Sequence, residues 1–82
     1  MIIFKKDQEI FRQGDRGDTA YIIESGQILI YLTKDKEEIP LALMGPGEIF
    51  GEMSLLDNQA RSASARAIEE AKLNPVTRDQ VM

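Results

Sequence analysis

Hydrophobic and polar positions alternate along much of the chain, in short runs cut by turn residues. Turn-rich clusters fall at Gly14–Asp18, at Ser25-Gly26, at Lys34–Glu38 and at Gly45–Glu48. Thr19–Glu24 and Gln27–Thr33 read as strands joined by a tight turn at Ser25-Gly26. In the second, Ile28, Ile30 and Leu32 share one face, while Gln27, Leu29, Tyr31 and Thr33 take the other. Ile39–Met44 reads as a further strand, with Pro40 near its start, where a missing N–H does least harm. Short strands at turn-punctuated spacing predict a barrel or roll rather than alternating β/α units.

Two places break this rhythm. Glu52–Leu56 follows Gly51 and is rich in helix formers, which predicts a short helical turn. Thr77-Arg78-Asp79-Gln80 matches a capping box, with Thr77 as N-cap, Gln80 three positions on, and Pro75 suited to the end of a strand. A helix is therefore expected to begin near Thr77, yet the sequence ends at Met82. One turn of helix does not stand alone, so residues 1–82 are expected to form a single domain that is either a fragment or one whose last element depends on something outside it.

Composition narrows the chemistry. The 82 residues carry a formal net charge of −4, no cysteine and no histidine. Without cysteine there is no disulfide framework, thiolate metal site or Cys nucleophile. Without histidine the commonest general base and zinc ligand are missing, together with every Ser–His or Cys–His arrangement. No catalytic residue and no metal site is expected, and the chain is read as a non-enzyme. The acidic balance argues against a nucleic-acid surface. No signal peptide is legible, and the longest nearly apolar run, Ile39–Gly47, is far short of a membrane span. A cytoplasmic location with no membrane contact through this segment is expected.

The informative stretch is Gly45–Ala67. Gly51 ends the strand-like pair Ile49-Phe50 and opens the short helix, where backbone N–H groups form an anion site. Nine residues after Glu52 comes Arg61, followed by the small residues Ser62, Ala63, Ser64 and Ala65. A guanidinium matches a phosphate bidentately, and small neighbours let other donors approach the same anion. Glu52 is an acceptor-only carboxylate suited to sugar hydroxyls. One anion site beside one hydroxyl acceptor describes a sugar-phosphate ligand. Taken singly, these residues have plainer readings: Arg61 and Arg66 as surface arginines, Glu52 as a carboxylate at a helix start, and the Lys34–Glu38 run as a solvated hairpin tip. Ser64 divides evenly between strand residue and pocket contributor. Tyr21, Ile23, Phe50 and Leu55 read as core.

At these residues the sequence closely resembles the cyclic nucleotide-binding domain of catabolite-activator-type regulators, cyclic-nucleotide-dependent kinases and cyclic-nucleotide-gated channels. Ile10–Ile23 resembles the family's first glycine motif leading into a strand, and Ser25-Gly26 its hairpin turn. Phe50–Leu55 through Arg61-Ser62-Ala63 resembles its phosphate-binding cassette, Glu-to-Arg spacing included. The resemblance implies a mainly β fold: an antiparallel eight-stranded β-roll with a short cassette helix, its flanking helices largely absent here. It implies that Arg61 pairs with the exocyclic phosphate oxygens and that Glu52 accepts from the ribose 2′-hydroxyl. Gly51 and Met53 would give backbone contacts, and Ser62 a contact to the phosphate or, with cyclic GMP, to guanine. Gly14, Gly17, Gly26, Gly45 and Gly47 would be architectural, in conformations costly for a residue bearing Cβ.

The leading expectation is thus a sensory module that binds cyclic AMP in preference to cyclic GMP, as ligand rather than cofactor. It would pass the signal to an output region outside this segment, with an effector domain or homodimer partner. The competing reading is a β-roll interaction scaffold that binds no cyclic nucleotide. A cupin-type enzyme would need clustered metal-binding histidines, which this sequence lacks.

Overall fold

The computed structural model describes residues 1–52, 55 and 60–81. Its strands are β1 (Ile2–Phe4), β2 (Glu9–Phe11), β3 (Thr19–Ser25), β4 (Ile28–Lys34), β5 (Glu37–Met44), β6 (Ile49–Phe50), β7 (Ser64–Ala67) and β8 (Ala71–Thr77). A helical turn follows at Arg78–Val81. The strands form two four-stranded antiparallel sheets, ordered β1-β8-β3-β6 and β2-β7-β4-β5. Neighbours in space are mostly distant in sequence, as a rolled-up β topology requires. The eight-stranded β-roll is the observed fold.

The core lies between the sheets. Ile23, Ile28 and Leu73 are its largest fully buried side chains, with Phe4, Phe50 and the alanines 65, 67 and 71 packed around them. Small residues on β7 let the sheets approach. Tyr21 stacks on Phe50 at 5.6 Å and meets the Phe4 ring edge-on. Leu55 is buried as expected, whereas Tyr21 is only half-buried.

Local chemistry explains the joints. Asp35 and Lys36 both have positive φ (53° and 68°), the primed hairpin geometry that matches strand twist between β4 and β5. Pro40 lies within edge strand β5, where the pairing slips: Ile30 opposes Ala42 while Tyr31 opposes Pro40. The proline thus occupies a bulge rather than an interior ladder position. Pro75 does not end its strand. β8 runs on to Thr77, and β1 has run out beyond Leu73, so Pro75 has no ladder partner to lose on that side. The capping box forms its return half, with the Thr77 N–H donating to Gln80 Oε1 at 2.9 Å.

One strand face differs from simple alternation. Tyr31 is 5% exposed although alternation puts it outside. The slip beside it and the Arg66 guanidinium lying 4.9 Å from its ring centre together cover it. Arg66 is accordingly half-buried, with 24% of its side chain exposed, and bonded to Glu38 at 2.7 Å. That bond is the main influence raising the Arg66 pKa above the ordinary arginine value. The hairpin tip therefore contributes a paired Glu38 rather than solvated charge alone.

Candidate ligand-binding site

Two loops and one strand end converge on Arg61. Its backbone is tied to the β2–β3 loop: the Arg61 N–H donates to the Asp15 carbonyl at 2.7 Å, and the Gly14 N–H donates to the Arg61 carbonyl at 2.8 Å. A bridge between Arg16 and Ala60 extends the same pairing. The glycine motif and the segment carrying Arg61 thus form one local unit, though 42 residues or more separate them in places.

The side chain is almost wholly buried, 6% exposed. Nη1 donates to the Gly51 carbonyl at 3.0 Å and Nη2 to the Thr19 carbonyl at 2.6 Å. Cζ lies 4.1 Å from the Phe11 ring centre. Nε is buried without a hydrogen-bond partner among the described residues. No carboxylate among the described residues lies within ion-pair distance of Arg61. Burial, partly opposed by nearby charges including those of Asp18 and Asp15, pushes its pKa below the ordinary arginine value. A guanidinium still stays charged near neutrality. Carbonyl dipoles satisfy two of its N–H groups, but a buried cation with no counter-ion among the described residues carries a desolvation cost that they do not fully offset. An anion delivered to the remaining donors would remove it.

Two glycines make room for this group. A Cβ on Gly17 would stand 2.6 Å from Nη2 and 3.0 Å from Nε. A Cβ on Gly51 would stand 2.8 Å from Nη1, and the positive φ of 79° at Gly51 is itself unfavourable for other residues. Gly17 is thus architectural through close approach rather than through its backbone angle. Gly45 has neither positive φ nor a close neighbour, so the expected architectural role does not apply there.

Arg61 borders a cavity of about 250 Å³. Its apolar lining comes from Phe11, Ile30, Ala42, Met44, Ile49 and Phe50, and its polar lining from Gly51, Glu52, Arg61 and Ser62, with Ala63 beside them. Four of the five expected site residues, Gly51, Glu52, Arg61 and Ser62, therefore meet at one cavity. Met53 lies outside the described residues, as do 54 and 56 of the expected cassette helix; Glu52 and Leu55 are helical. Ser64 and Ala65 do not line this cavity. Ala65 is fully buried in the core, and Ser64 belongs to the other face, where its Oγ accepts from the Gln13 N–H at 2.9 Å. The polar groove on that face, about 610 Å³, is bordered by groups that largely satisfy one another, Arg12 with Glu9 and Ser64 with Gln13. Phe11, in contact with the Arg61 guanidinium, is a site residue that sequence reasoning did not single out, although it lies within the Ile10–Ile23 motif.

A model of the cyclic nucleotide-binding domain family matches residues 1–82. The chain belongs to that family. The cyclic AMP receptor protein of Thermus thermophilus is 43% identical over 81 residues, covering 98% of this chain and 38% of its own length. The cAMP-dependent protein kinase regulatory subunit of Emericella nidulans is 37% identical over 78 residues, which is 95% of this chain and 18% of that protein. Among solved structures, the cAMP-bound form of the EAL enzyme Bd1971 matches with a TM-score of 0.94 and 65% identity, over 98% of this chain and 22% of that one. Its cGMP-bound form matches with a TM-score of 0.95. As a cyclic nucleotide-binding domain, the chain is a sensory or regulatory module, and the interaction-scaffold reading is not favoured. It spans well under half the length of each of these proteins.

Proposed function

We propose that the cavity beside Arg61 binds a cyclic nucleotide, with cyclic AMP preferred over cyclic GMP. The observation that carries this is a buried guanidinium, its Nε without a partner among the described residues, bordering the same cavity as Glu52. In this reading Arg61 pairs with the exocyclic oxygens of the cyclic phosphate, using the N–H donors that the Gly51 and Thr19 carbonyls leave free. Glu52, exposed at the helix start, accepts from the ribose 2′-hydroxyl. Gly51 and Met53 supply backbone contacts, and Ser62 a hydroxyl to the phosphate. Of the apolar lining, Ile30, Ala42, Met44 and Ile49 receive the base by contact. The cyclic AMP preference follows the curated relatives, which are cyclic-AMP-named regulators.

The domain is non-catalytic: the ligand is bound and released unchanged. Residues 1–82 form one ligand-binding unit. The partner is then an effector domain or a second copy, and the setting is cytoplasmic; among the described residues no helix is long and apolar enough to cross a membrane. Ligand shifts the output only by binding its two states unequally. The ties of Arg61 to Asp15, Gly14, Thr19 and Gly51 are the contacts through which occupancy reaches the β2–β3 loop and the cassette.

Thermal unfolding with added ligand tests the proposal. Cyclic AMP at about one hundred times its Kd stabilises the folded state by about 2.7 kcal/mol. For a domain of this size that raises Tm by on the order of 10 °C or more. An unchanged Tm at millimolar cyclic AMP and cyclic GMP would refute it.

A further inference from the structure

We propose that Phe11 is a positioning residue for the anion site, its ring fixing the plane of the Arg61 guanidinium and thereby the affinity for the phosphate. This rests on the reading of Arg61 given above. The two carbonyl bonds, from Nη1 to Gly51 and from Nη2 to Thr19, set where the group lies but leave it free to tilt about the line between them. The Phe11 ring, 4.1 Å from Cζ, removes that freedom.

The ring is itself well held. Phe11 ends β2, opposes Ala65 of β7, and packs against Phe50 at 5.9 Å with a tilt of 41°. Gly51 keeps the space beside it clear, since a Cβ there would come within 3.3 Å of Phe11 Cε2. An aromatic face also attracts a cation directly, more strongly when water is excluded, as it is around a guanidinium 6% exposed. A bidentate contact to two phosphate oxygens is planar and demands that the guanidinium plane be set in advance. Phe11 further borders the same cavity as Arg61, so its effect falls at the ligand rather than at a distant packing site.

The test compares Phe11→Met, which keeps apolar volume but removes the ring, with Phe11→Tyr, which keeps the ring. Two readouts separate positioning from wall-building. Calorimetry with cyclic AMP and a shift titration with adenosine, which lacks the phosphate, are run on the parent and both variants. Phe11→Met is expected to weaken cyclic AMP about tenfold, to leave adenosine within about twofold, and Phe11→Tyr to restore most of the loss. Equal losses for both ligands would overturn the proposal and make Phe11 a plain cavity wall. The second readout needs no ligand. Side-chain NMR should show separate, slowly exchanging Nη signals for Arg61 in the parent and in Phe11→Tyr, merging in Phe11→Met. Nη signals that are unchanged in Phe11→Met would also overturn it. A parent that binds no cyclic AMP refutes the functional reading, while the NMR comparison still decides whether Phe11 orders Arg61.

Discussion

Gly17→Ala adds one methyl group at a position where the backbone tolerates it and the neighbour does not. Gly17 has no positive φ, so alanine carries no backbone strain there and gains about 0.4–1 kcal/mol by restricting the unfolded chain. Against that, the new Cβ would lie 2.6 Å from Arg61 Nη2, 3.0 Å from Nε and 3.1 Å from Cζ. The end of an arginine is usually free to move aside. This one is pinned by two carbonyl bonds and the Phe11 ring. Yielding means giving up the 2.6 Å bond to the Thr19 carbonyl, and a bond from a charged donor contributes about 1.5–3 kcal/mol. The net expectation is a loss of about 1–2 kcal/mol, seen in urea denaturation as a lower midpoint at unchanged slope. Calorimetry should show cyclic AMP affinity falling about tenfold or more as the guanidinium is displaced. Gly47→Ala is the control: φ there is 88° with nothing within 4 Å, so it costs about 1 kcal/mol in stability with affinity kept. A Gly17→Ala protein as stable and as tight-binding as the parent would refute the claim that Arg61 is held rather than adaptable.

Two further outcomes follow from buried groups away from the cavity. Ser64→Ala leaves the Gln13 N–H without its 2.9 Å acceptor and should cost about 1–2 kcal/mol in chemical denaturation, with cyclic AMP affinity unchanged. A loss of affinity there would put Ser64 back in the pocket. Leu73→Ala empties a fully buried position between the sheets and should cost about 2–5 kcal/mol, read as a lower urea midpoint; a loss below about 1 kcal/mol would mean the core is not centred on β8.

The strands were legible where apolar alternation met clear turn residues. Ser25-Gly26, Asp35-Lys36 and the Gly45–Glu48 turn bound β3, β4 and β5 within a residue or two, but Ser25-Gly26 is not the expected hairpin turn: β3 and β4 lie in different sheets, and the chain crosses between them there. Legibility failed where tertiary contacts override the local pattern. Tyr31 is covered because Arg66, 35 residues on, lies over it, and no local pattern announces that. Pro75 reads as a strand end, yet it is accommodated because β1 is too short to reach it. At the site, Gly51, Glu52, Arg61 and Ser62 are close in sequence and their spacing carries a chemical meaning. Phe11 and the Thr19 carbonyl reach Arg61 only through the sheet topology. Ser64 sits beside the motif but faces away, because a strand turns successive side chains to opposite faces, while Ala65 points into the core.

The most direct test of the central claim, that the buried Arg61 guanidinium anchors a cyclic phosphate, is calorimetric titration of cyclic AMP into the parent and Arg61→Ala. Truncating one partner of a buried charged pair costs about 2–5 kcal/mol, so affinity should fall by about thirtyfold to several thousandfold. Adenosine binding should be nearly unchanged. An Arg61→Ala protein with the parent's circular dichroism spectrum that binds cyclic AMP within about threefold of the parent would contradict the account.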